Sequence, residues 1–231
     1  MTAPVGRREA NKQATRAALR TAAQRLFDER GFEQATVRDI ARAAGVTERT
    51  FYRYFDGKEG LMAEEYLTWL DRLRAAIVAR PAAEPPLAAV QRAMVLLSQQ
   101  AAAERVLAPL WLFSGGPQMR TLRRFEPRPM LRLESVISTA IMARLRTERP
   151  ADHAAAGSGL APAGPGDDFR TRVLGRVCVA ALRSAVIQYR ELRAAGAVAP
   201  DDVERLLDEA FDIIRDYAVA ESGSPGAGVS R

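Results

Sequence analysis

The 231-residue sequence contains one cysteine, Cys178, and one histidine, His153. A single cysteine cannot form an internal disulfide, which is typical of proteins from a reducing compartment, and its apolar neighbours predict a buried core thiol. His153 has no metal-ligating neighbours, and no nucleophile elbow, phosphate loop or Cys/His cluster occurs. These absences argue against enzymatic catalysis, and we expect no cofactor and no metal site.

Long apolar runs and strand patterns are also missing. No stretch of about eighteen apolar residues occurs, so we expect no membrane span. The N-terminal residues are charged with no apolar run behind them, so we expect no secretory signal and a cytoplasmic location.

Aromatic residues make up only 6% of the chain. The abundant Ala, Leu and Arg favour helices, and the sequence predicts an all-α fold of about nine helices without strands.

Lysine is scarce as well, because only Lys12 and Lys58 are lysines among 34 basic residues. The guanidinium of arginine suits contacts to phosphates and base edges, although the codon bias of a GC-rich genome explains the bulk count equally well. The distribution is more informative. Residues 1–55 carry eleven basic and six acidic side chains, so nearly all of the net charge of +6 lies at this end. This asymmetry predicts a nucleic-acid contact there.

Two short helices joined by a glycine are predicted within this basic segment. Thr36 and Asp39 have the spacing of a capping box, which satisfies free amides at a helix start. The helix ends at Gly45, since glycine readily takes a positive φ, and another begins near Thr47. Short helices in this arrangement form a helix-turn-helix unit, whose second helix lies in the DNA major groove.

The stretch "TERTFYRYFDGKEGL", residues 47–61, mixes aromatic and basic side chains on that second helix. Phe51 and Phe55 are four residues apart and can pack inward. The other side chains of the helix then lie on its outer faces, where arginine can pair with guanine and tyrosine can reach phosphates. Lys58 lies in the first turn of the next helix, where a cation is unfavourable unless a phosphate is near.

The segment "AAQRLFDERGFEQATVRDIARAAGVTERTFYRYFDGKEGL" resembles the DNA-binding domain of TetR-type transcriptional regulators. The resemblance covers residues 13–73 and implies an N-terminal three-helix domain with the helix-turn-helix at 36–55. Position 54 is Tyr where the family often has His, which preserves a phosphate contact but not a pH-sensitive one. The resemblance and the residue chemistry together assign DNA contacts to Thr36, Arg38, Thr47, Arg49, Thr50, Tyr52, Arg53, Tyr54 and Lys58.

The resemblance further implies that residues 74–220 form a helical ligand-binding and dimerisation domain. Within it, residues 150–166 are predicted to be a flexible loop because they lack periodicity. Residues 221–231, which follow it, are predicted to be a disordered tail. A homodimer follows independently, since one helix-turn-helix unit contacts a single half-site of a palindromic double-stranded operator. Two apolar stripes are candidate interfaces, although they could equally fill the protomer core: Val173, Val177, Ala181, Ser184 and Gln188, and Val203, Leu207, Ala210, Ile214 and Tyr217.

A small-molecule effector is expected between the middle helices. The candidate lining residues combine methionines, aromatics and one leucine, which are also common core residues: Met94, Leu110, Trp111, Phe113, Met119, Met142 and Tyr189. An arginine cluster at residues 120–132 could receive an anionic group such as an acyl-CoA, or it could be a solvated basic face. Arg7, Arg8 and Lys12 could form an arm along DNA or a basic tail without structure.

The predicted function is that of a DNA-binding transcriptional regulator, a homodimeric repressor that a small molecule releases from its operator. Two alternatives remain open at this point. The protein could be an activator or a co-repressor-dependent regulator of the same family. It could also be a small-molecule-binding module whose DNA-binding head is vestigial.

Overall fold

The computed structural model of the chain describes residues 6–104, 117–147, 165–197, 199 and 202–222. These residues form nine α-helices and no strand, which confirms the all-α prediction. The helices are α1 (Arg7–Arg30), α2 (Val37–Ala43), α3 (Glu48–Tyr52), α4 (Gly57–Val78), α5 (Pro86–Glu104), α6 (Pro117–Phe125), α7 (Pro129–Thr147), α8 (Pro165–Ala194) and α9 (Asp202–Ser222).

The two short helices start where the sequence predicted, because Thr36 caps α2 and Thr47 caps α3. The first helix begins at Arg7, so Arg7, Arg8 and Lys12 form the first turns of α1. The alternative of a basic tail without structure is therefore wrong for these residues, and their contact with DNA stays a prediction. The predicted 150–166 loop and the tail fall almost wholly outside the described residues, and α8 already begins at Pro165.

The chain divides into two compact units. The first comprises the described residues of 1–69 and 100–129, and the second those of 70–99 and 130–231. The division falls inside α4, so this helix contributes to both units. It also groups α6 with the N-terminal helices, whereas the sequence-based limits of 13–73 and 74–220 placed α6 in the C-terminal domain.

In the first unit, α1 supplies one side of the core and is held to α4 by ion pairs. Leu19, Ala23 and Leu26 recur at helical spacing and are almost fully buried. Arg16 Nε donates to Glu64 Oε1 at 2.8 Å, and Arg20 Nη2 donates to Glu65 Oε2 at 2.8 Å. Two such charge-assisted bonds fix the position of α1 against α4 more specifically than apolar packing alone.

The C-terminal end of this unit is anchored to α4 by a buried tyrosine. Tyr66 is fully buried, and its hydroxyl donates to the carbonyl oxygen of Pro129 at 2.5 Å. Leu122 of α6 is likewise fully buried. The ring of Phe125 lies close to Gly60 on the first turns of α4, where an added Cβ would be 3.7 Å from it.

The second unit contains the close pairing of α8 with α9 and a tight approach of α7 to α8. Gln91 on α5 donates from Nε2 to Asp208 Oδ1 on α9 at 2.6 Å. At Gly175 of α8, an added Cβ would lie 2.9 Å from the carbonyl oxygen of Glu134. Cys178 is fully buried on the core side of α8, as the sequence predicted, and burial raises the pKa of its thiol to about 12.

A buried polar cluster closes the connection between α4 and α5 in the second unit. Arg144 of α7 is only 3% exposed and donates to the carbonyl oxygens of Pro81 and Glu84 at 2.6 and 2.8 Å. Glu84 accepts from Arg80 Nε at 2.7 Å and also pairs with Arg92. These bonds satisfy carbonyl groups that would otherwise be buried without a partner.

Candidate nucleic-acid interface

The first helix of the predicted pair, α2, begins at a reciprocal cap. Thr36 Oγ1 accepts from the Asp39 backbone N–H at 3.1 Å and donates to Asp39 Oδ2 at 2.6 Å. The hydrogen bond from Thr36 lowers the pKa of the Asp39 carboxyl, and the nearby charge of Arg42 acts in the same direction. The predicted capping box is confirmed, and it fixes the residue at which α2 starts.

The turn between α2 and α3 depends on Gly45. Its φ is +70°, in the left-handed region that favours glycine, and Val46 N–H donates to the Ala41 carbonyl oxygen at 2.9 Å. Thr47 then caps α3, since its Oγ1 accepts from the Thr50 N–H at 3.2 Å. Two caps and one glycine therefore define a helix-turn-helix entirely through local chemistry.

The inward face of α3 is aromatic. Phe51 and Phe55 are buried, and their ring centroids lie 5.6 Å apart. Ile40 and Ala41 of α2 are buried as well, at no more than 1% exposure. The predicted inward packing of the two phenylalanines is confirmed, and it determines which side chains α3 presents outward.

The outward face of α3 carries the predicted contact residues. Tyr52 is 57% exposed despite being an aromatic residue, and Arg49 and Arg53 are exposed beside it. The Arg53 guanidinium lies 5.1 Å from the centroid of the Tyr54 ring and donates to its hydroxyl at 3.4 Å. Such a pair orients two polar groups toward the same side without burying either.

The start of α2 carries two more predicted contact residues. Thr36, which caps α2, and Arg38, on its first turn, are both exposed, and so is Thr47 at the cap of α3. Within the described ranges, neither Arg38 nor Arg49 has an ion-pair or hydrogen-bond partner, whereas Arg42 pairs with Asp39 at 3.3 Å. An arginine without a protein partner is available to an external anion.

Lys58 has a different environment. Its Nζ donates to the backbone carbonyl oxygens of Phe32, Ala35 and Glu33 at 2.7, 3.0 and 3.2 Å. It also lies 4.5 Å from the centroid of the Phe32 ring. The assignment of Lys58 to a phosphate stays a prediction, and the structure gives this ammonium group partners that the sequence did not reveal.

The predicted effector-binding residues are only partly within the described ranges. Leu110, Trp111 and Phe113 lie outside them. Met119 is buried in the first unit, and Met94 is buried in the second. The remaining two, Met142 and Tyr189, are half-buried in the second unit. The effector site therefore stays a prediction.

The arginine cluster of residues 120–132 is exposed throughout. Arg120, Arg123 and Arg124 lie on α6, Arg128 follows it, and Arg132 lies on α7. These arginine side chains have no ion-pair partner among the residues that the structure describes. This exposure agrees with a solvated basic face and adds no support for an enclosed anion site.

Sequence reasoning missed an acidic face on α9. Carboxylates at a spacing of four residues, together with an exposed isoleucine, line one open side of this helix. The lining residues are Glu204, Arg205, Asp208, Glu209, Asp212, Ile213 and Asp216. The i, i+4 spacing of Glu204, Asp208, Asp212 and Asp216 was the available signal.

The described part of the chain contains neither a cluster of metal-ligating side chains nor a membrane-spanning helix. No group of three or more His, Cys, Asp or Glu side chains there could hold a metal ion. None of its helices has the length and apolar character that crossing a membrane requires.

Comparison with known families gives a match for the segment that contains the two short helices. Residues 19–64, which include α2, the Gly45 turn and α3, match the profile described as bacterial regulatory proteins of the tetR family. The match covers this segment and not the rest of the chain. The TetR-family match ends within α4, close to the point at which the chain divides into its two units.

Curated relatives match the TetR-family domain and little beyond it. The HTH-type transcriptional repressor KstR2 of Rhodococcus jostii (strain RHA1) is 41% identical over 73 residues, which are 32% of this chain and 36% of that protein. The HTH-type transcriptional regulator TcmR of Streptomyces glaucescens is 38% identical over 88 residues, which are 38% of this chain and 39% of that protein. The chain thus matches less than two fifths of the length of these relatives.

A solved TetR-family structure covers nearly the whole chain. FadR of Thermus thermophilus, a TetR-family transcriptional repressor in complex with lauroyl-CoA, aligns over 94% of this chain and 98% of its own. The TM-score is 0.52 and the sequence identity 21%, so the likeness establishes the fold. It confirms the predicted architecture of an N-terminal helix-turn-helix domain followed by a helical C-terminal domain.

Proposed function

We propose that this chain is a DNA-binding transcriptional regulator, and specifically a homodimeric repressor that a small molecule releases from its operator. The observation that carries the proposal is the two-sided chemistry of α3. Its inner face is fully buried through Phe51, while Tyr52 on the same short helix is 57% exposed between two exposed arginines. A tyrosine exposed between two arginines on one short helix places a hydroxyl and two guanidinium groups where a nucleic acid can accept hydrogen bonds from them.

Groove recognition accounts for the side chains on that outward face. The guanidiniums of Arg49 and Arg53 can donate to guanine O6 and N7, and the hydroxyls of Tyr52 and Tyr54 can donate to phosphates. Thr36, Arg38, Thr47 and Thr50 flank them at the starts of α2 and α3. The proposal assigns no catalysis to the chain, and it places the protein in the cytoplasm with the DNA.

Dimerisation through α8 and α9 is supported by exposed apolar side chains at helical spacing on α8. Phe169, Val173 and Ile187 are 61, 39 and 38% exposed, and Ile213 on α9 is 51% exposed. The spacings of four, fourteen and eighteen residues place the three α8 side chains on one stripe. A second copy of the chain would cover this stripe.

The interface differs in composition from the stripes that the sequence suggested. Ala181 and Leu207, which we assigned to those stripes, are 4 and 1% exposed and belong to the protomer core. The helices also differ in charge: α8 carries six arginines and three acidic residues, whereas α9 carries two arginines and seven acidic residues. Opposite charges on the two helices favour packing of α8 from one copy near α9 of the other.

The small-molecule effector is proposed to act by shifting the population between two states of the dimer. We call the helix-turn-helix of each copy, residues 36–55, its reading head. A ligand that prefers a state in which the spacing of the two reading heads does not match the operator lowers operator occupancy. A coupling free energy of ~1–3 kcal/mol, typical of allostery, reduces the affinity about 5- to 150-fold. Because the structural neighbour from Thermus thermophilus is in complex with lauroyl-CoA, fatty acyl-CoA esters are the first compounds to test.

A gel-shift assay tests the proposal directly. Purified protein is mixed at low salt with duplex DNA from beside its own gene, and with a scrambled duplex of equal length as control. We expect retardation of the first duplex at concentrations that leave the second free. Binding to neither contradicts the proposal and favours a ligand-binding module with a vestigial head. Equal binding to both contradicts operator recognition, because the protein then binds DNA without regard to its sequence.

A gel-shift with added ligand distinguishes a repressor that its ligand releases from a regulator that needs its ligand to bind DNA. Lauroyl-CoA and other acyl-CoA esters are first screened for a rise in the melting temperature of the protein, because a bound ligand stabilises the folded state. A compound that raises the melting temperature is expected to release the protein from its operator, which abolishes the retardation of the duplex. A compound that instead strengthens the retardation identifies a co-repressor-dependent regulator.

A further inference from the structure

The ammonium group of Lys58 has every one of its hydrogens engaged inside the protein. A lysine ammonium has three donors and no acceptor. The three backbone carbonyl oxygens it contacts, those of Phe32, Ala35 and Glu33, lie at 2.7, 3.0 and 3.2 Å. The ring of Phe32 covers a further side of the group at 4.5 Å. A phosphate would therefore have to displace at least one carbonyl oxygen.

These carbonyls belong to the connection between α1 and α2. Phe32 and Ala35 are 7 and 0% exposed, whereas Glu33 between them is exposed. The connection makes one backbone hydrogen bond of its own, from Ala35 N–H to the Gly31 carbonyl oxygen at 3.3 Å. Lys58 supplies donors to the carbonyl groups of the two buried residues, which a partly buried backbone requires.

The connection leads directly into the reading head. Ala35 precedes Thr36, whose side chain caps α2, so the position of Ala35 sets where and in which direction α2 starts. Lys58 itself lies on the first turn of α4, six residues after the end of α3. One side chain thus links the segment before α2 to the segment after α3.

We propose that Lys58 is a positioning residue, which clamps the α1–α2 connection and thereby holds α2 and α3 in register for DNA, and that it makes no phosphate contact. This inference rests on the proposed function, because it concerns the affinity for an operator. It reverses the role that the family resemblance implied for this lysine. The exposed arginines and tyrosines of α2 and α3 then supply the polar contacts to DNA.

The salt dependence of operator binding distinguishes a clamp from a phosphate contact. Each lost phosphate contact lowers the slope of log K against log salt concentration by about 0.9. For Lys58→Met we expect about a tenfold or greater loss of operator affinity with a slope equal to that of the unchanged protein. A slope lowered by about one unit overturns the proposal.

Replacement by arginine provides the matched comparison. A guanidinium retains the charge and binds phosphates well, but its planar fork cannot place three donors on carbonyl oxygens that surround one point. Lys58→Arg is therefore expected to lose as much affinity as Lys58→Met. Near-normal affinity of Lys58→Arg, beside weak binding of Lys58→Met, identifies a phosphate contact instead. Arg146→Met, at an exposed residue of α7, serves as a control that removes a charge outside the helix-turn-helix and the proposed dimer surface.

Hydrogen exchange without DNA gives a readout that is independent of the operator. Well below the melting temperature, we expect faster exchange at the amides of residues 35–40 in both Lys58 variants, and unchanged exchange in α8. Faster exchange with normal operator affinity would also overturn the positioning role. If the unchanged protein binds no DNA, the proposed function fails, and hydrogen exchange still decides whether the clamp exists. Lys58→Gln, which keeps one donor group, replaces Lys58→Met if that variant does not fold.

Discussion

At the residue scale, the reading head works through side chains whose surroundings differ over a few ångströms. Phe51 and Tyr52 are neighbours in sequence, yet one is fully buried and the other is 57% exposed. Arg42 is paired with Asp39, whereas Arg38 and Arg49 have no such partner in the described ranges. Charge alone therefore does not identify a contact residue, and the absence of an internal partner is the better criterion.

Replacing Arg49 or Tyr52 tests that criterion. Arg49→Ala is expected to lower operator affinity by ~1–3 kcal/mol, or about 5- to 150-fold, because a bidentate contact to a base is lost. Tyr52→Phe removes only a hydroxyl and should cost less. Quantitative gel-shift measures both, and light scattering should show an unchanged mass. Arg146→Ala on α7 is the control, and a parallel loss of binding and dimerisation would mean that Arg49 supports the fold instead.

The carboxylate of Glu84 gives a prediction for pH. The hydrogen bond from Arg80 is the main reason why the pKa of Glu84 lies below its ordinary value of 4.5, and the charges of Arg80, Arg92 and Arg144 add to it. Since the folded-state pKa is the lower one, the stabilisation is complete above the unfolded value and disappears as the pH falls through the folded value.

Melting temperatures of the unchanged protein and of Glu84→Gln check this sign. We expect the variant to melt lower at about pH 6 and the difference to shrink as the pH falls toward about 3. Glu134→Gln is a suitable control, because the Glu134 carboxylate pairs with Arg176 at 3.4 Å in a more exposed position. A difference that stays constant with pH would show that the charge of Glu84 is not what stabilises the connection.

At the scale of elements, the close approach of α7 and α8 depends on a residue without a side chain. A Cβ at Gly175 would lie 2.9 Å from the Glu134 carbonyl oxygen and would also clash with Ser138 Oγ. Backbone atoms of a packed helix cannot move aside as a flexible side chain can. The pairing of α7 with α8 is therefore specified at this point by glycine.

Gly175→Ala is expected to destabilise the protein despite the better helix propensity of alanine. Overpacking of this kind costs about 1–3 kcal/mol, and each kcal/mol lowers the melting temperature of a protein of this size by about 2–4 °C. Thermal denaturation measures the change, with Ser184→Ala on the exposed side of α8 as control. Removing Ser138 Oγ as well should restore stability only in part, since the carbonyl clash remains. An unchanged melting temperature for Gly175→Ala would show that α7 and α8 can separate without cost.

At the scale of the whole molecule, the proposed function requires two copies of the chain. One reading head recognises one half-site, and only a pair of heads matches a palindromic operator. The exposed apolar side chains of α8 and the acidic face of α9 are the surfaces that a second copy could cover. Their properties complement each other in charge as well as in hydrophobicity.

Introducing arginine into this surface should separate the copies. Ile187→Arg and Ile213→Arg are each expected to halve the mass measured by light scattering, because each places a charge in an apolar contact. Circular dichroism should stay unchanged, since both isoleucines are exposed in the protomer, and operator binding should weaken. The control is Leu131→Arg on α7, at a leucine that is 48% exposed. A dimer that survives both isoleucine changes would place the interface elsewhere.

The sequence by itself determined the local features of this protein. The Thr36 cap, the Gly45 turn and the inward packing of Phe51 and Phe55 depend on residues within a few positions of one another. Hydrogen bonds and side-chain periodicity over such short distances are encoded directly in the order of residues. For the same reason the helical fold and the outward residues of the reading head could be predicted.

Only the tertiary structure decided the features that join residues far apart in the chain. Lys58 donates to carbonyls more than twenty residues away, and α6 belongs with the N-terminal helices. The burial of Ala181 and Leu207 and the clash at Gly175 likewise depend on which helix faces which. A periodic apolar stripe indicates that one face of a helix is buried, but it does not identify the surface that covers this face. The same stripe suits a protomer core and a dimer interface equally well.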